Sequence, residues 1–185
     1  MDMGHVHTGT GDDGTTGMLY GGRVSKGEEL VDAIGDIDEA VSALGVARSG
    51  CGNAERATRL MRLQRELFVV AADLAANPGH RDRLKPGRSL VVPDMTAELE
   101  RLIDSLTAEH PLRPVFVVPG TTAEEAAIDL ARAVVRRAER HTVQAKTAGH
   151  AVSDETLRYL NRLSDLLYVL ARHAAKGVEE PASHD

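Results

Sequence analysis

Apolar residues recur at helical spacing along most of this chain. Leu60, Leu63, Leu67, Ala71 and Leu74 form one stripe, Ile128, Ala131, Val135 and Ala138 a second, and Leu160, Leu163, Leu167, Leu170, Ala171 and Ala174 a third. Steps of three and four residues put each set on one face of a helix. The pattern predicts five helices. They run roughly over 28–48, over 54–76, from an N-cap at Asp94 to 109, from an N-cap at Thr122 to 147, and from near Ser153 to 175. Glu124 and Glu125 suit the first turn of the fourth helix, where the helix dipole favours negative charge.

Two connections between the helices carry loop signals. Residues 77–93 carry Pro78, Gly79, Pro86, Gly87 and Pro93 and read as a loop. Residues 110–122 contain the extended run Val115-Phe116-Val117-Val118, the one stretch with strand character, followed by Pro119-Gly120. No internal repeat is visible. Short connections between helices indicate an all-α, antiparallel five-helix bundle. Three parts follow: a flexible Gly/Thr-rich segment over 1–22, the helical bundle over 23–175, and a loose tail over 176–185.

A length of 185 residues suits one domain with one sizeable core. Aromatic residues make up 3% and Trp is absent, so Ala, Leu and Val must fill that core. Cys51 is the single cysteine, which excludes an intramolecular disulfide and a cysteine-based zinc site. That usage fits a reducing cytoplasm. No apolar run is long enough to span a membrane, and the opening Met1-Asp2-Met3-Gly4-His5 is unlike a signal peptide. A formal net charge of −6 argues against a general nucleic-acid binder but leaves an anionic small ligand open. The eight histidines are scattered rather than spaced as metal ligands.

Several clusters have the composition of a binding site, and each also has a plainer reading. The run Thr8-Gly9-Thr10-Gly11-Asp12-Asp13-Gly14-Thr15-Thr16-Gly17 can turn backbone N–H groups into an anion-binding nest, with Arg23 and Lys26 close behind to neutralise phosphate. An Asp there can order the loop or hold Mg2+ beside a polyphosphate. The same run, by composition, is also a flexible tail. Arg132, Arg136 and Arg140 share one helix face at i, i+4 and i+8, and Glu139 can hold Arg136 in place. They form either a phosphate-binding stripe or a solvated basic face. Asn161 and Asp165 share a face beside the last apolar stripe and can bind ligand or pair with the preceding helix. Asp36, Asp38 and Glu39 offer acid–base groups or an acidic surface. Phe116 is one of two phenylalanines and stands in a connection rather than a helix.

These clusters, in this order, resemble the PduO-type cobalamin adenosyltransferases. The matching motifs are Thr8 to Thr16; Gly21-Gly22-Arg23-Val24-Ser25-Lys26; Gly35 with Asp38-Glu39; Gln64 with Leu67-Phe68 and Asp73-Leu74-Ala75; Phe116 to Gly120; Arg132 to Arg140; and Tyr159 to Asp165. The resemblance covers about residues 8–175.

It implies a reaction in which cob(I)alamin attacks the 5′ carbon of ATP, expels triphosphate and becomes adenosylcobalamin. ATP and Mg2+ would be bound by Thr8, Gly9, Thr10, Gly11, Asp12, Gly14, Thr16, Arg23, Lys26, Arg136, Arg137, Glu139 and Asn161. Phe116 would form an apolar wall that displaces the lower axial ligand of cob(II)alamin and so eases its reduction. Asp38 and Arg132 match a pair that bridges subunits of a homotrimer, with ATP bound between them. An electron-donating reductase and an adenosylcobalamin-dependent enzyme are the implied partners.

Three positions depart from the family pattern. Val41 stands where an Asn is usual, Thr121 follows Pro119-Gly120 in place of a second Gly, and Ala175 ends what is usually Arg-x-x-Asn. They leave open a second reading, a weakly catalytic or non-catalytic ATP- or adenosylcobalamin-binding carrier or sensor of the same fold.

Overall fold

The computed structural model describes His7 and residues 9–183. Thr8, part of the predicted nucleotide loop, lies outside the described residues, as do Met1 to His5 and His184. Five long helices form: α1 (Glu29–Ser49), α2 (Ala54–Leu74), α3 (Pro93–Glu109), α4 (Ala123–Thr147) and α5 (Asp154–Ala175). Four short strands accompany them: β1 (Thr15–Gly17), β2 (Arg23–Ser25), β3 (Val117–Val118) and β4 (Glu180–Pro181).

The helix starts follow their capping chemistry. Thr122 accepts from the N–H of Glu125 and Ser153 from that of Thr156, each satisfying a donor that the first turn leaves unpaired. Asn53 does the same for Arg56 at the start of α2. The third start corrects the sequence expectation. Asp94 is not the cap; it lies inside the first turn, and Pro93 opens the helix behind an extended Val92. Proline has no N–H to leave unsatisfied at that position, and its fixed φ suits helix.

Helices α1, α2, α4 and α5 surround the core, α1 packing on both α2 and α4, and α4 on α5. The three stripes are buried except for the half-buried Ala71, with Leu60, Leu63, Leu67, Ile128, Ala131, Val135, Leu160, Leu163 and Leu167 fully enclosed. Side-chain pairs fix the directions. Asp36 meets Arg137 and Cys51 meets Glu124, so α4 runs antiparallel to α1. Glu66 meets Tyr159 and Asp73 meets Thr156, so α5 runs antiparallel to α2. The fifth helix, α3, packs on the outside of α5 and runs parallel to it, since Glu100 meets Arg162 and Leu106 meets His173.

The connections hold more structure than their composition suggests. Residues 77–93 include a 3-10 helix over Pro78–Arg83, begun by Asn77, whose side chain accepts from the N–H of Gly79. Arg81 reaches back from it to the buried carboxylate of Asp73. The Gly/Thr-rich segment is not structureless where it is described: β1 and β2 form an antiparallel hairpin, Thr16 opposite Val24. Leu19 in its turn pairs with Ala75 and Asn77 at the end of α2, which pins the hairpin to the bundle. The tail is not loose up to residue 183. β4 pairs antiparallel with β3, and Glu179 is buried against Arg172. An ion pair inside the fold, invisible in the tail's own polar composition, holds it there.

Candidate functional site

Most of the predicted site residues fall into two groups, one around the hairpin and one across α4 and α5. The first gathers around the hairpin. Gly14 has a φ of +82°, a conformation that glycine adopts without strain. Gly11 is closely packed: a Cβ there would stand 3.2 Å from Lys26 Nζ and 3.3 Å from the Thr15 carbonyl oxygen, so the loop would have to shift slightly. Arg23 donates through Nε to Thr15 Oγ1 at 2.8 Å and through Nη2 to the carbonyl of Thr10. Lys26 donates to the carbonyl of Gly11 at 2.8 Å. Both cations are thus folded onto the Gly/Thr loop, bringing positive charge to it. Asp13 accepts from both the N–H and the hydroxyl of Thr15, and these bonds hold its carboxyl below the usual aspartate range. Asp12 is exposed.

Beside the hairpin lies an apolar cleft of about 380 Å³ between β1, β2, α1 and α2. Thr16, Gly17, Ile34, Val41 and Phe68 line it, and among the described residues Asp38 is the one charged residue of its lining. Phe68 is 60% exposed although it is one of only two phenylalanines. Val41 packs its side chain toward the core and adds apolar wall to the cleft.

The second group lies across α4 and α5. Arg132 and Arg136 line an open cleft of about 610 Å³ together with Arg162, Asp165 and Tyr168 of α5 and Glu100 and Asp104 of α3. Arg132 is tied by an ion pair to the buried Asp129 one turn before it. Arg136 is exposed. Arg140 turns its guanidinium back to the carbonyl of Arg136.

Arg137, one step along the helix and about 100° around it, faces the other way. Its Nε donates to Asp36 at 3.0 Å, and it also pairs with Glu39. The bond to Asp36 raises its pKa further above the usual arginine value. The acidic run of α1 is therefore divided. Asp36 and Glu39 serve Arg137 and His141, whose Nδ1 lies 2.7 Å from Asp36, while Asp38 opens on the apolar cleft.

Glu139 does not hold Arg136. It accepts from the side-chain amide of Asn161 at 3.0 Å, a bond between helices that spacing along one helix could not reveal. Asp165 pairs with Arg162 at 2.7 Å. Phe116 stands apart from both clefts in the 110–122 connection, with 90% of its surface exposed, so it contributes nothing to the core.

Sequence reasoning missed one cluster. Arg172, Glu125, Asp129 and Glu179 are all buried and share ion pairs. The available signal was Glu125 and Asp129 at i, i+4 flanking Ile128, which puts carboxylates on the buried side of α4.

The fold and these residues define a helical bundle with two polar-edged clefts. The family model described as cobalamin adenosyltransferase matches residues 6–174, and the chain belongs to that family. It is 38% identical over 170 residues to a corrinoid adenosyltransferase of Citrobacter freundii, covering 92% of this chain and 94% of that one. It is likewise 38% identical over 176 residues to a corrinoid adenosyltransferase of Mycobacterium tuberculosis, covering 94% and 90%. Its fold matches a solved Phe-to-Ala variant of a PduO-type ATP:corrinoid adenosyltransferase from Lactobacillus reuteri, complexed with cobalamin and ATP. That match has a TM-score of 0.85 and 28% identity, and covers 98% of this chain and all of the other.

Proposed function

We propose that this protein transfers the 5′-deoxyadenosyl group of ATP to the cobalt of cob(I)alamin, releasing triphosphate and forming adenosylcobalamin. The carrying observation is the separation of two complementary half-sites within a chain of this family. The hairpin and Asp38 lie on one face; Arg132 and Arg136 lie on another. A site that needs both is assembled between subunits, and a homotrimer supplies the head-to-tail contacts that do so.

In this reading Co(I) is the nucleophile, so the protein needs neither a nucleophile nor a general base of its own. Its task is orientation and charge. The Gly9–Thr16 loop, with Arg23 and Lys26 folded onto it, cradles the triphosphate. Arg136 and Arg132 from the neighbouring subunit offset the negative charge that grows on the leaving group. Asp38 faces Arg132 across the contact. Arg137, Glu139 and Asn161 hold the α1, α4 and α5 faces in register around the site.

Asp12, an exposed carboxylate of the Gly/Thr loop, would hold Mg2+ beside the ATP phosphates. Bound there, it would neutralise phosphate charge. Phe116, free of any packing duty, supplies the apolar wall beneath cob(II)alamin that keeps a lower ligand away. A cytoplasmic setting, a reductase that delivers the electron to cobalt and an adenosylcobalamin-dependent enzyme that receives the product complete the reading. No helix among the described residues is long and apolar enough to cross a membrane.

The second reading, a carrier or sensor that binds ATP or adenosylcobalamin with little catalysis, is favoured by Val41 and by the buried Ala175 at positions where the family pattern has amides. Anaerobic turnover of cob(I)alamin with ATP and Mg2+ separates the two.

A further inference from the structure

Arg172, in the last turn of α5, is the centre of a buried charge cluster. Its Nη2 donates to Glu125 and, at 2.9 Å, to Asp129, both on α4. Its Nε faces Glu179 at 2.9 Å. Asp129 also takes the Nε of Arg132. Arg172 and Arg132 would balance Glu125 and Asp129 by themselves. Glu179 adds a third carboxylate to the enclosed group, and burying an extra charge is costly. Its ion pair with Arg172, and the nearby Arg113, offset part of that cost.

Glu179 does bring the C-terminal segment onto the Phe116 loop. The next residues, Glu180–Pro181, pair with Val117–Val118, and the N–H of Ala182 donates to the carbonyl of Phe116 at 2.8 Å. The carbonyl of Glu179 accepts from Arg113 at 3.2 Å. The far end of the loop is held by the same cluster, because Glu125 accepts from the N–H groups of Gly120 at 2.8 Å and Thr121 at 3.1 Å. The Phe116 ring, 90% exposed, makes no packing that could fix the loop from its own side.

We propose that residues 178–183 form a strap that sets the position of Phe116, with Glu179 and Arg172 as the positioning residues that latch it. The proposal rests on the reading of Phe116 as the wall beneath the corrin. The strap constrains the backbone that carries the ring, and the latch ties that constraint to α4 and α5, the helices that carry Arg132 and Asn161. A wall that displaces an axial ligand has to be held in place against that ligand, and a loop freed from the strap loses this hold.

Two variants test it: Glu179→Gln, and a chain that ends at Gly177. Both leave Arg172 with two carboxylate partners, and a thermal melt checks that the bundle stays folded. Hydrogen exchange of the full-length protein and each variant, without ligands, is read on peptides covering residues 114–121. Adenosylcobalamin formation is then followed from cob(II)alamin with a reductant and from chemically prepared cob(I)alamin. The expected result is faster exchange in that loop, with the rate from Co(II) falling about tenfold more than the rate from Co(I). Unchanged exchange overturns the strap, whatever the activity. Faster exchange with equal change in both rates overturns its role in placing Phe116. If the full-length protein turns over neither form, the proposed activity fails, and the exchange result still decides whether the strap holds the loop.

Discussion

Arg137 on α4 donates to Asp36 on α1 at 3.0 Å, while its neighbour Arg136, about 100° around the helix, lines an open cleft. Two adjacent arginines of one motif thus have different duties. Arg137→Ala leaves a half-buried Asp36 with His141 alone and is expected to lower the melting temperature. Arg136→Ala should change stability by no more than about 0.5 kcal/mol, as for other exposed positions. It should reduce kcat/KM for ATP by about tenfold or more through the loss of a charge-assisted phosphate contact. Thermal melts and ATP kinetics of the two variants check the split; the reverse pattern would refute the assignment.

A site divided between subunits has a measurable signature in mixtures. Lys26→Ala damages the hairpin half and Arg136→Ala the α4 half, so each homotrimer is expected to be poorly active. In randomly mixed trimers, about a quarter of the head-to-tail contacts join an intact hairpin to an intact Arg136. Co-refolding or co-expressing the two variants should restore activity toward that fraction of the native value. Activity no higher than the mean of the two variants would mean that both residues act within one subunit.

Phe116→Ala should leave stability nearly unchanged, within about 0.5 kcal/mol, because the ring is exposed. Adenosylation started from cob(II)alamin should fall far more than adenosylation started from cob(I)alamin. Equal losses in the two assays would remove Phe116 from the reduction step.

Glu66 gives the fold a pH dependence of predictable sign. Burial pushes its carboxyl above the usual glutamate range, outweighing the hydrogen bond from Tyr159 at 2.7 Å and the attraction of Arg62. Between the unfolded and folded pKa values the native state holds the proton more tightly, so stability falls as pH rises through that window. The contribution is complete below the ordinary glutamate pKa and is lost above the raised one. Glu66→Gln keeps an oxygen for Tyr159 and removes the buried charge. Its urea midpoint should exceed the native one near neutral pH and lose that advantage in acid. A lower midpoint near neutral pH would show that the ion pair with Arg62 dominates instead.

The helices were legible because their apolar residues repeat at three and four, and Thr122 and Ser153 mark two of the starts by short-range chemistry. The pairing of Arg132 with Arg136 in one cleft was legible for the same reason, since i, i+4 neighbours share a face. Contacts between helices were not. Nothing along α4 shows that Glu139 serves Asn161 rather than Arg136, or that Arg137 meets Asp36, because those choices depend on how α4 sits against α5 and α1. The hairpin and the tail escaped for a related reason. Strands of two or three residues carry no period, and Glu179 looks like any surface glutamate until Arg172 is placed beneath it. Motif resemblance supplied the residues around the nucleotide loop and Phe116, where local pattern left two readings open.

The most direct test of the proposed activity is an anaerobic incubation of the purified protein with chemically reduced cob(I)alamin, ATP and Mg2+, followed by absorbance. The expected result is conversion to adenosylcobalamin, verified by photolysis of its light-sensitive cobalt–carbon bond, with one triphosphate released per turnover. ATP or adenosylcobalamin binding without any such conversion would contradict catalysis and establish the carrier or sensor in its place.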